Sequence, residues 1–304
     1  MSNSPFWSVI LPTYQRERVL CETIEHLLAL SYPNYELLVI DQTPKHEFET
    51  EQFLRVHAEK ESGRFRWHTI ARPNLPHARN IGAQLATGDF LLYCDDDIIP
   101  PVDLIDLHLH NLEQPGIGAA TGGNFVEQRK MPARPRPCEI LPSGRVFDYW
   151  DYEVPKGTTD SLRGGNMSMP RKIVFEAGLF DEAYIGNAYR EETDFSLRVL
   201  QMGYQIAYDP VAAVVHLGHP TGGSRASKVS DESRYLFEFH HNIAYFFAKN
   251  FRQRYLPSFL RRETAWFVKE RTDFRGRPKL VFSALQGLWR GYLAGLRKRK
   301  SLSS

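Results

Sequence analysis

Along the first third of the chain, short apolar runs alternate with stretches whose apolar positions recur every three or four residues. Trp7 to Leu11 is an apolar run stopped by Pro12, and Val19, Leu20, Ile24, Leu27 and Leu28 then recur at helical spacing. The alternation continues. Tyr35 to Ile40 (YELLVI) reads as a buried strand ending at Asp41, Phe48 to Glu61 as a polar helix, and Phe65 to Thr69 as a third strand. Pro76 opens a helix through Ala86 that Gly88 closes, and Phe90 to Cys94 is a fourth strand. Apolar strands alternating with helices predict an α/β fold, a mostly parallel sheet covered on both faces. Ligands of such sheets bind beyond the carboxyl ends of the strands. Asp41 and the run Asp95-Asp96-Asp97 both lie at such ends, so their positions predict one shared pocket.

Past Gly122 the texture changes. Residues 126–160 are rich in Pro, Arg and aromatic residues without a period, and read as a long surface loop. Gly164-Gly165-Asn166 reads as a turn, 171–177 and 192–202 as helices, 205–208 and 211–215 as strands, and 218–224 (GHPTGGS) as a flexible loop. From Glu232 onward the pattern is helical and basic, broken at Pro257 and around Gly276 and Pro278. The expected organisation is one domain over 1–224 and a helical extension over 225–304.

Composition sharpens this picture in two places. Residues 225–304 hold 18 Lys and Arg against 6 Asp and Glu, whereas residues 1–224 hold 20 against 30. A basic tail on an acidic body points to an anionic partner, lipid head groups or nucleic acid. Cys21, Cys94 and Cys138 are far apart with no CxxC pair, which argues against a zinc knuckle or a disulfide framework and fits a reducing compartment. No apolar window has the length of a spanning helix, and Pro5 and Pro12 interrupt the apolar patch near the start, so neither a membrane span nor a secretory leader is expected.

Three successive carboxylates repel one another unless a cation is present. In an extended segment the first and third point to one side, so Asp95 and Asp97 can face one metal while Asp96 points elsewhere, toward a ribose or an acceptor. A hard oxygen site suits Mg²⁺ or Mn²⁺. The alternative is a solvated acidic turn; the strongly apolar strand just before the run favours the metal.

The ordered segments SVILPTYQR at 8–16, ELLVIDQT at 36–43, RPNLPHARNIGAQLATGDFLLYCDDDIIPP at 72–101, GGNMSMPR at 164–171, EETDFSLRVLQMGY at 191–204 and VVHLGHPTGGS before residue 225 resemble the family 2 glycosyltransferases, inverting enzymes of the GT-A fold. The resemblance implies a Rossmann-like, mostly parallel sheet flanked by helices. It also implies transfer of a sugar from a nucleotide-diphospho-sugar, UDP- or dTDP-linked, to a glycan or polyprenyl-linked hydroxyl in cell-surface polysaccharide synthesis. Carried over residue by residue, it places Pro12, Thr13, Tyr14 and Asp41 at the nucleotide base. Gln42 stands where the family often has a second acid. Arg79 falls at the diphosphate or base, Asp95 and Asp97 on the metal with Asp96 beside them, and Gly165 and Asn166 against the donor sugar or acceptor. The family's catalytic base maps onto Glu192, with Glu191 the other candidate, and a further metal ligand onto His216, with His219 behind it. His77 has no role, and Asp194 reads as structural, paired with Arg198 at i+4. Tyr149, Trp150 and Tyr152 are candidates for stacking on sugar.

In the tail, Val281, Leu285, Leu288, Tyr292 and Leu296 form one helical stripe with Phe282, Trp289 and Leu293 beside it, and Arg290 and Arg297 to Lys300 supply charge. Two readings stand level: a helix lying on an anionic membrane, or one packed on the body with its basic face solvated. The expected location is cytoplasmic, on the inner face of the plasma membrane if the first holds, and nucleic acid is the disfavoured partner. Two rivals frame the functional reading. A sugar nucleotidyltransferase would need a Gly-rich phosphate loop after the first strand, and PTYQRER has no Gly. A non-catalytic binding protein of the same fold would have no use for acids at both the metal and the base positions.

Overall fold

The computed structural model describes residues 4–125, 133–148, 153–219, 221–223, 230–269 and 277–303. The first four strands are β1 (Trp7–Thr13), β2 (Tyr35–Asp41), β3 (Phe65–Thr69) and β4 (Phe90–Cys94), paired in parallel in the order β3-β2-β1-β4. β1 and β2 are buried along their whole length, which is why their sequences are continuous apolar runs. Helices α1 (Arg18–Leu28), α2 (Phe48–Lys60) and α3 (Leu75–Leu85) connect them. α3 starts where it does because the Asn74 side chain accepts the His77 N–H, with Pro76 in the first turn.

After β4 come β5 (Ile98–Ile99), α4 (Leu104–Leu112), β6 (Ile117–Phe125), β7 (Cys138–Ile140), β8 (Val146–Asp148), β9 (Gly157–Thr159), β10 (Asn166–Pro170), α5 (Arg171–Glu176), α6 (Glu191–Gln201) and β11 (Gln205–His216). β10 inserts antiparallel between β4 and β6, β11 runs parallel to β6, and β5 and β9 pair antiparallel with β11, completing a nine-stranded sheet among the described residues. Residues 126–160 are therefore not simply a loop: β7 and β8 pair as a hairpin and β9 joins the main sheet. The two strands expected over 205–215 are one. β11 runs through, with a register shift between Asp209 and Val214 that takes up Pro210 as a bulge.

Two apolar cores lie on the sheet's faces. One packs α1 and α4 with Val9, Leu37 and Val214, the other packs α3, α5 and α6 with Ile10, Tyr93 and Met167. The C-terminal region forms α7 (Glu232–Asn250), a 3-10 turn (Gln253–Tyr255), α8 (Leu256–Lys269) and α9 (Pro278–Ser303). A third core joins Tyr184 and Ala188, in the loop before α6, to Tyr245, Phe247 and Phe259 of α7 and α8.

α9 lies on α7 by way of its glycines. A Cβ on Gly287 would fall 2.3 Å from the Phe237 carbonyl oxygen, one on Gly291 2.1 Å from that of His241, and one on Gly295 2.6 Å from that of Tyr245. The buried face is thus Leu280, Ala284 and these glycines, while Phe282, Leu285 and Trp289 are 66%, 52% and 64% exposed. The helix packs on the body, yet much of the apolar stripe read from the sequence faces outward. No helix among the described residues is long and apolar enough to cross a membrane.

Candidate metal and donor site

β4 ends at Cys94 because three adjacent acids cannot continue a strand buried on both faces, and β5 resumes the pairing at Ile98. The acids occupy the gap. β11 runs antiparallel to β5 with His216 opposite Ile98, so the register that closes this edge also delivers the imidazole to the acids. His216 Nε2 lies 3.2 Å from Asp97 Oδ1 and 3.6 Å from Asp95 Oδ2. Ligand atoms of Asp95, Asp97 and His216 all fall within 4.8 Å of one another.

Asp96 turns the other way. Its carboxylate accepts the Thr13 hydroxyl at 2.7 Å and Arg16 Nε at 3.2 Å, so both oxygens are held by the protein rather than open to a ribose. Burial pushes this carboxyl up to about 7, with Arg16 and Thr13 opposing and the neighbouring Asp97 adding to the rise. Arg16 also donates to Asp97 Oδ2 at 3.0 Å and to the carbonyls of His219 and Thr221. The stretch after β11 is held over the site by further backbone bonds: Leu217 N–H to the Asp97 carbonyl at 2.8 Å, His219 N–H to Asp97 Oδ2 at 3.0 Å, and Gly223 N–H to the Tyr14 carbonyl at 2.7 Å. The His219 ring is exposed and turns to Thr221. Arg16 is the main residue that the sequence reading passed over. A cation one turn past the end of β1, facing an acid run at the end of β4, was the available signal.

Arg79 is buried between the acids and α6. It donates to the Gly164 carbonyl at 2.9 Å and pairs with Glu191, which is 1% exposed. Burial holds the guanidinium below its ordinary pKa, opposed by the charges of Asp95 and Glu192, so Arg79 lies in the field of both. Enclosed this way, it meets the protein's own acid rather than an open diphosphate pocket. Glu192 is only half-buried. Its carboxyl is raised above the ordinary glutamate value by burial, with Arg79 the largest opposing charge. α6 begins at Glu191 after Arg190, whose φ of 77° breaks the preceding chain direction, and Glu191, Glu192 and Asp194 fill its first turn where the helix dipole favours acids. Asp194 sits 3.3 Å from Arg198, as the i+4 spacing anticipates.

Other expected contacts are arranged differently. Asp41 has no exposed surface and accepts from Thr43 N–H at 2.8 Å, His46 Nε2 at 2.8 Å and Trp67 Nε1 at 3.0 Å, so its carboxylate holds the local turn and shows no free face to a nucleobase. Pro12 and Thr13 are buried at the end of β1 and Tyr14 is half-buried beside them. The Thr13 carbonyl accepts both the backbone and the side-chain N–H of Gln42, at 3.0 and 3.1 Å. The Gly165 carbonyl accepts the Asp95 N–H at 3.2 Å, which brings the turn against the acids. The Asn166 side chain is wholly buried, bonded to His108 Nε2 at 2.8 Å and to the Ala212 carbonyl at 2.7 Å, so it ties strands together. His77 pairs with Glu182 at 3.1 Å. Tyr149, Trp150 and Tyr152 lie outside the described residues.

A mostly parallel sheet with two carboxylates and a histidine converging at its strand ends defines the class: this is the GT-A fold of nucleotide-sugar glycosyltransferases. Solved structures agree on the fold. The mannosyltransferase PcManGT of Pyrobaculum calidifontis, solved with GDP-Man and Mn²⁺, matches 100% of this chain and 89% of its own with a TM-score of 0.58 and 15% identity. GalNAc-T7, solved with UDP, GalNAc and Mn²⁺, matches 81% of this chain and 51% of its own with a TM-score of 0.62 and 18% identity. The model of glycosyl transferase family 2 matches residues 8–173, more than half the chain, and the chain belongs to that family. Its relatives include an uncharacterised glycosyltransferase of Haemophilus influenzae, 24% identical over 74% of this chain and 71% of the relative. They also include the glucosyl-dolichyl phosphate glucuronosyltransferase of Haloferax volcanii, 25% identical over 69% and 68%.

Proposed function

We propose that this chain is a metal-dependent inverting glycosyltransferase moving a sugar from a UDP- or dTDP-linked donor to a hydroxyl of a glycan or lipid-linked acceptor, in cell-surface polysaccharide synthesis. The observation that carries the reading is the convergence of Asp95, Asp97 and His216, with Glu192 in the same electrostatic neighbourhood through Arg79. Two carboxylate oxygens and an imidazole nitrogen fit Mn²⁺ well and Mg²⁺ less so. When bound there, the ion supplies charge neutralisation to a departing nucleotide diphosphate.

The rest falls to the chain's own residues. Arg79 occupies Glu191, which leaves Glu192 as the carboxylate able to take the acceptor's proton as the hydroxyl attacks. Arg16 holds Asp96 and the second oxygen of Asp97, which leaves Asp97 Oδ1 and Asp95 Oδ2 facing His216 as the oxygens that would hold the metal. The basic charges of α9 beside exposed Phe282 and Trp289 suit an anionic membrane surface on the cytoplasmic side.

Release of nucleotide from a panel of UDP- and dTDP-sugars, followed with and without Mn²⁺, tests the proposal. Asp97→Ala and Glu192→Gln are each expected to abolish nearly all transfer in folded protein. Full turnover in excess EDTA removes the metal from the mechanism, and full turnover by Glu192→Gln removes Glu192 as the base.

A further inference from the structure

The turn that leads into α6 is strained. Gly186, Ala188 and Arg190 have φ of 52°, 50° and 77°, all in the left-handed region. Glycine adopts that conformation freely. Alanine and arginine do not, and two of them so close together persist only where the surroundings over-determine them.

The turn supplies part of its own hold. Ala188 N–H donates to the Ile185 carbonyl at 2.9 Å, Glu191 N–H to the Ala188 carbonyl at 3.0 Å, and Tyr189 N–H to Asn187 Oδ1 at 3.0 Å. Arg190 is tied by its side chain to Asp148, at 3.2 and 2.8 Å. The rest comes from α7. Asn242 is fully buried. Its Oδ1 accepts the Ile185 N–H at 3.1 Å and meets His241 Nδ1 at 3.2 Å, while its Nδ2 donates to the Ile185 carbonyl at 2.8 Å and to Asn187 Oδ1 at 3.0 Å. One side chain thus pairs both backbone groups of Ile185 and fixes the amide oxygen that receives Tyr189. Gly186 belongs to the same contact, because a Cβ there would fall 2.0 Å from the Glu238 carboxylate, also on α7.

α7 holds the far side of the two acids as well. About two turns along from Asn242, Lys249 and Asn250 each reach Asp194 at 2.8 Å, in the first turn of α6. What this grip fixes is a rotation. Neighbouring residues on a helix point roughly 100° apart, so the direction in which the chain enters α6 decides which acid turns inward. In this arrangement Glu191 is buried against Arg79 and Glu192 is the half-buried one.

We infer that Asn242 is a positioning residue for the proposed base: by holding the left-handed turn at 185–190 it sets the rotation of α6 that buries Glu191 and presents Glu192. The inference rests on the transferase reading with Glu192 as base, and adds to it a residue of the C-terminal helices, beyond the family-matched residues 8–173.

The full chain is compared with N242L, which keeps the branched shape of the side chain and removes its bonds. Nucleotide release is followed with Mn²⁺ and whichever UDP- or dTDP-sugar the unaltered protein turns over fastest. UDP or dTDP is titrated calorimetrically with Mn²⁺, and amide hydrogen exchange is measured over residues 185–194. In N242L kcat is expected to fall about tenfold or more, as misplacement of a catalytic group implies. KM for the donor and the affinity for the diphosphate should stay within about twofold, because the donor side is untouched. Exchange over 185–194 should quicken. N187A removes only the link to Tyr189, at a half-buried position, and should lower kcat about threefold; it carries the test if N242L fails to fold.

Unchanged kcat in both variants overturns the inference. So does a kcat that falls only in step with the calorimetric stoichiometry, which marks lost folded protein and a purely structural role, and so does a rise in KM alone. Glu192→Gln is assayed alongside: full turnover there ends the base assignment whatever Asn242 does. If the unaltered protein releases no nucleotide, the transferase reading fails, and exchange alone decides whether Asn242 holds the turn, unchanged rates overturning it.

Discussion

Lys249→Met probes how the C-terminal helices hold the base-bearing helix. The Lys249 side chain is 4% exposed, with Nζ 2.7 Å from Asp181 and 2.8 Å from Asp194. Methionine keeps the apolar stem and removes the charge. Asp194, with no exposed side chain, then retains Asn250 Nδ2 at 2.8 Å and Arg198 at 3.3 Å, while Asp181 retains the Tyr245 hydroxyl at 2.8 Å. Breaking a buried ion pair from one side costs about 3–5 kcal/mol, and the surviving donors place this case at the low end, about 3 kcal/mol. At roughly 2–4 °C per kcal/mol for larger domains, a thermal melt at neutral pH should fall by about 6–12 °C. Removing Asp194's charge as well, in Lys249→Met/Asp194→Asn, should recover part of the loss.

Acid gives an independent check. Burial alone would raise the Asp181 carboxyl, but Lys249 and the hydrogen bonds around it hold it below the ordinary aspartate value. The stability from that lowered pKa is present above the unfolded value, about 3.9, and is lost as pH falls through the folded one. The gap between wild type and variant should therefore close below about pH 4. A melt within about 2 °C of wild type at pH 7, or a gap that persists in acid, refutes this account of the network.

Three further outcomes are expected. Glu192 must be ionised to act as a base and its carboxyl is raised by burial, so kcat/KM should fall as pH drops through a value above the roughly 4.3 of an ordinary glutamate; an acidic limb at or below that value contradicts the assignment. Gly291→Leu drives a side chain into the His241 carbonyl and should cost about 1–3 kcal/mol in a denaturant melt; an unchanged midpoint means α7 and α9 are not in backbone contact. Phe282→Glu/Trp289→Glu alters exposed positions, so stability should stay within about 0.5 kcal/mol per site while sedimentation with anionic liposomes is lost. Retained binding would clear this helix face of a membrane role.

β1, β2 and β4 were legible because a strand buried on both faces must be apolar nearly throughout, and Asp41 and Asp95 lay where β2 and β4 stopped, whereas β3 (FRWHT) is half-exposed and was read from its place in the alternation of strands and helices. β6 was not, because IGAATGGNF packs through small residues: a Cβ on Gly122 would stand 1.8 Å from the Ala212 carbonyl oxygen. Small residues carry no period. β11 was divided in the reading because Asp209-Pro210 looks like a break, whereas Asn111 and Lys156 hold Asp209 and keep the bulge inside the sheet. Asp41 was placed correctly at its strand end, but its partners depend on register. Trp67 reaches it only because β3 pairs with β2 at Val39, and that pairing is not written in either segment alone. In α9 the apolar stripe marked only part of the packed face: Leu288 and Tyr292 pack against the third core, but the closest approach to α7 is made at the glycines, which hydropathy does not mark.

That glycine contact raises a question of registration. Gly287, Gly291 and Gly295 repeat every fourth residue, so sliding α9 along α7 by one repeat would still leave two of the three close approaches in place. The interface resembles a ruler with identical marks: it fixes how near the helices lie and leaves their offset degenerate. The offset is set elsewhere, by contacts that do not repeat. Arg277 pairs with Glu232 at one end, and Tyr292 meets Gln253 and Arg299 the Phe251 carbonyl at the other. Proximity and alignment are encoded by separate residues, so each can be lost without the other.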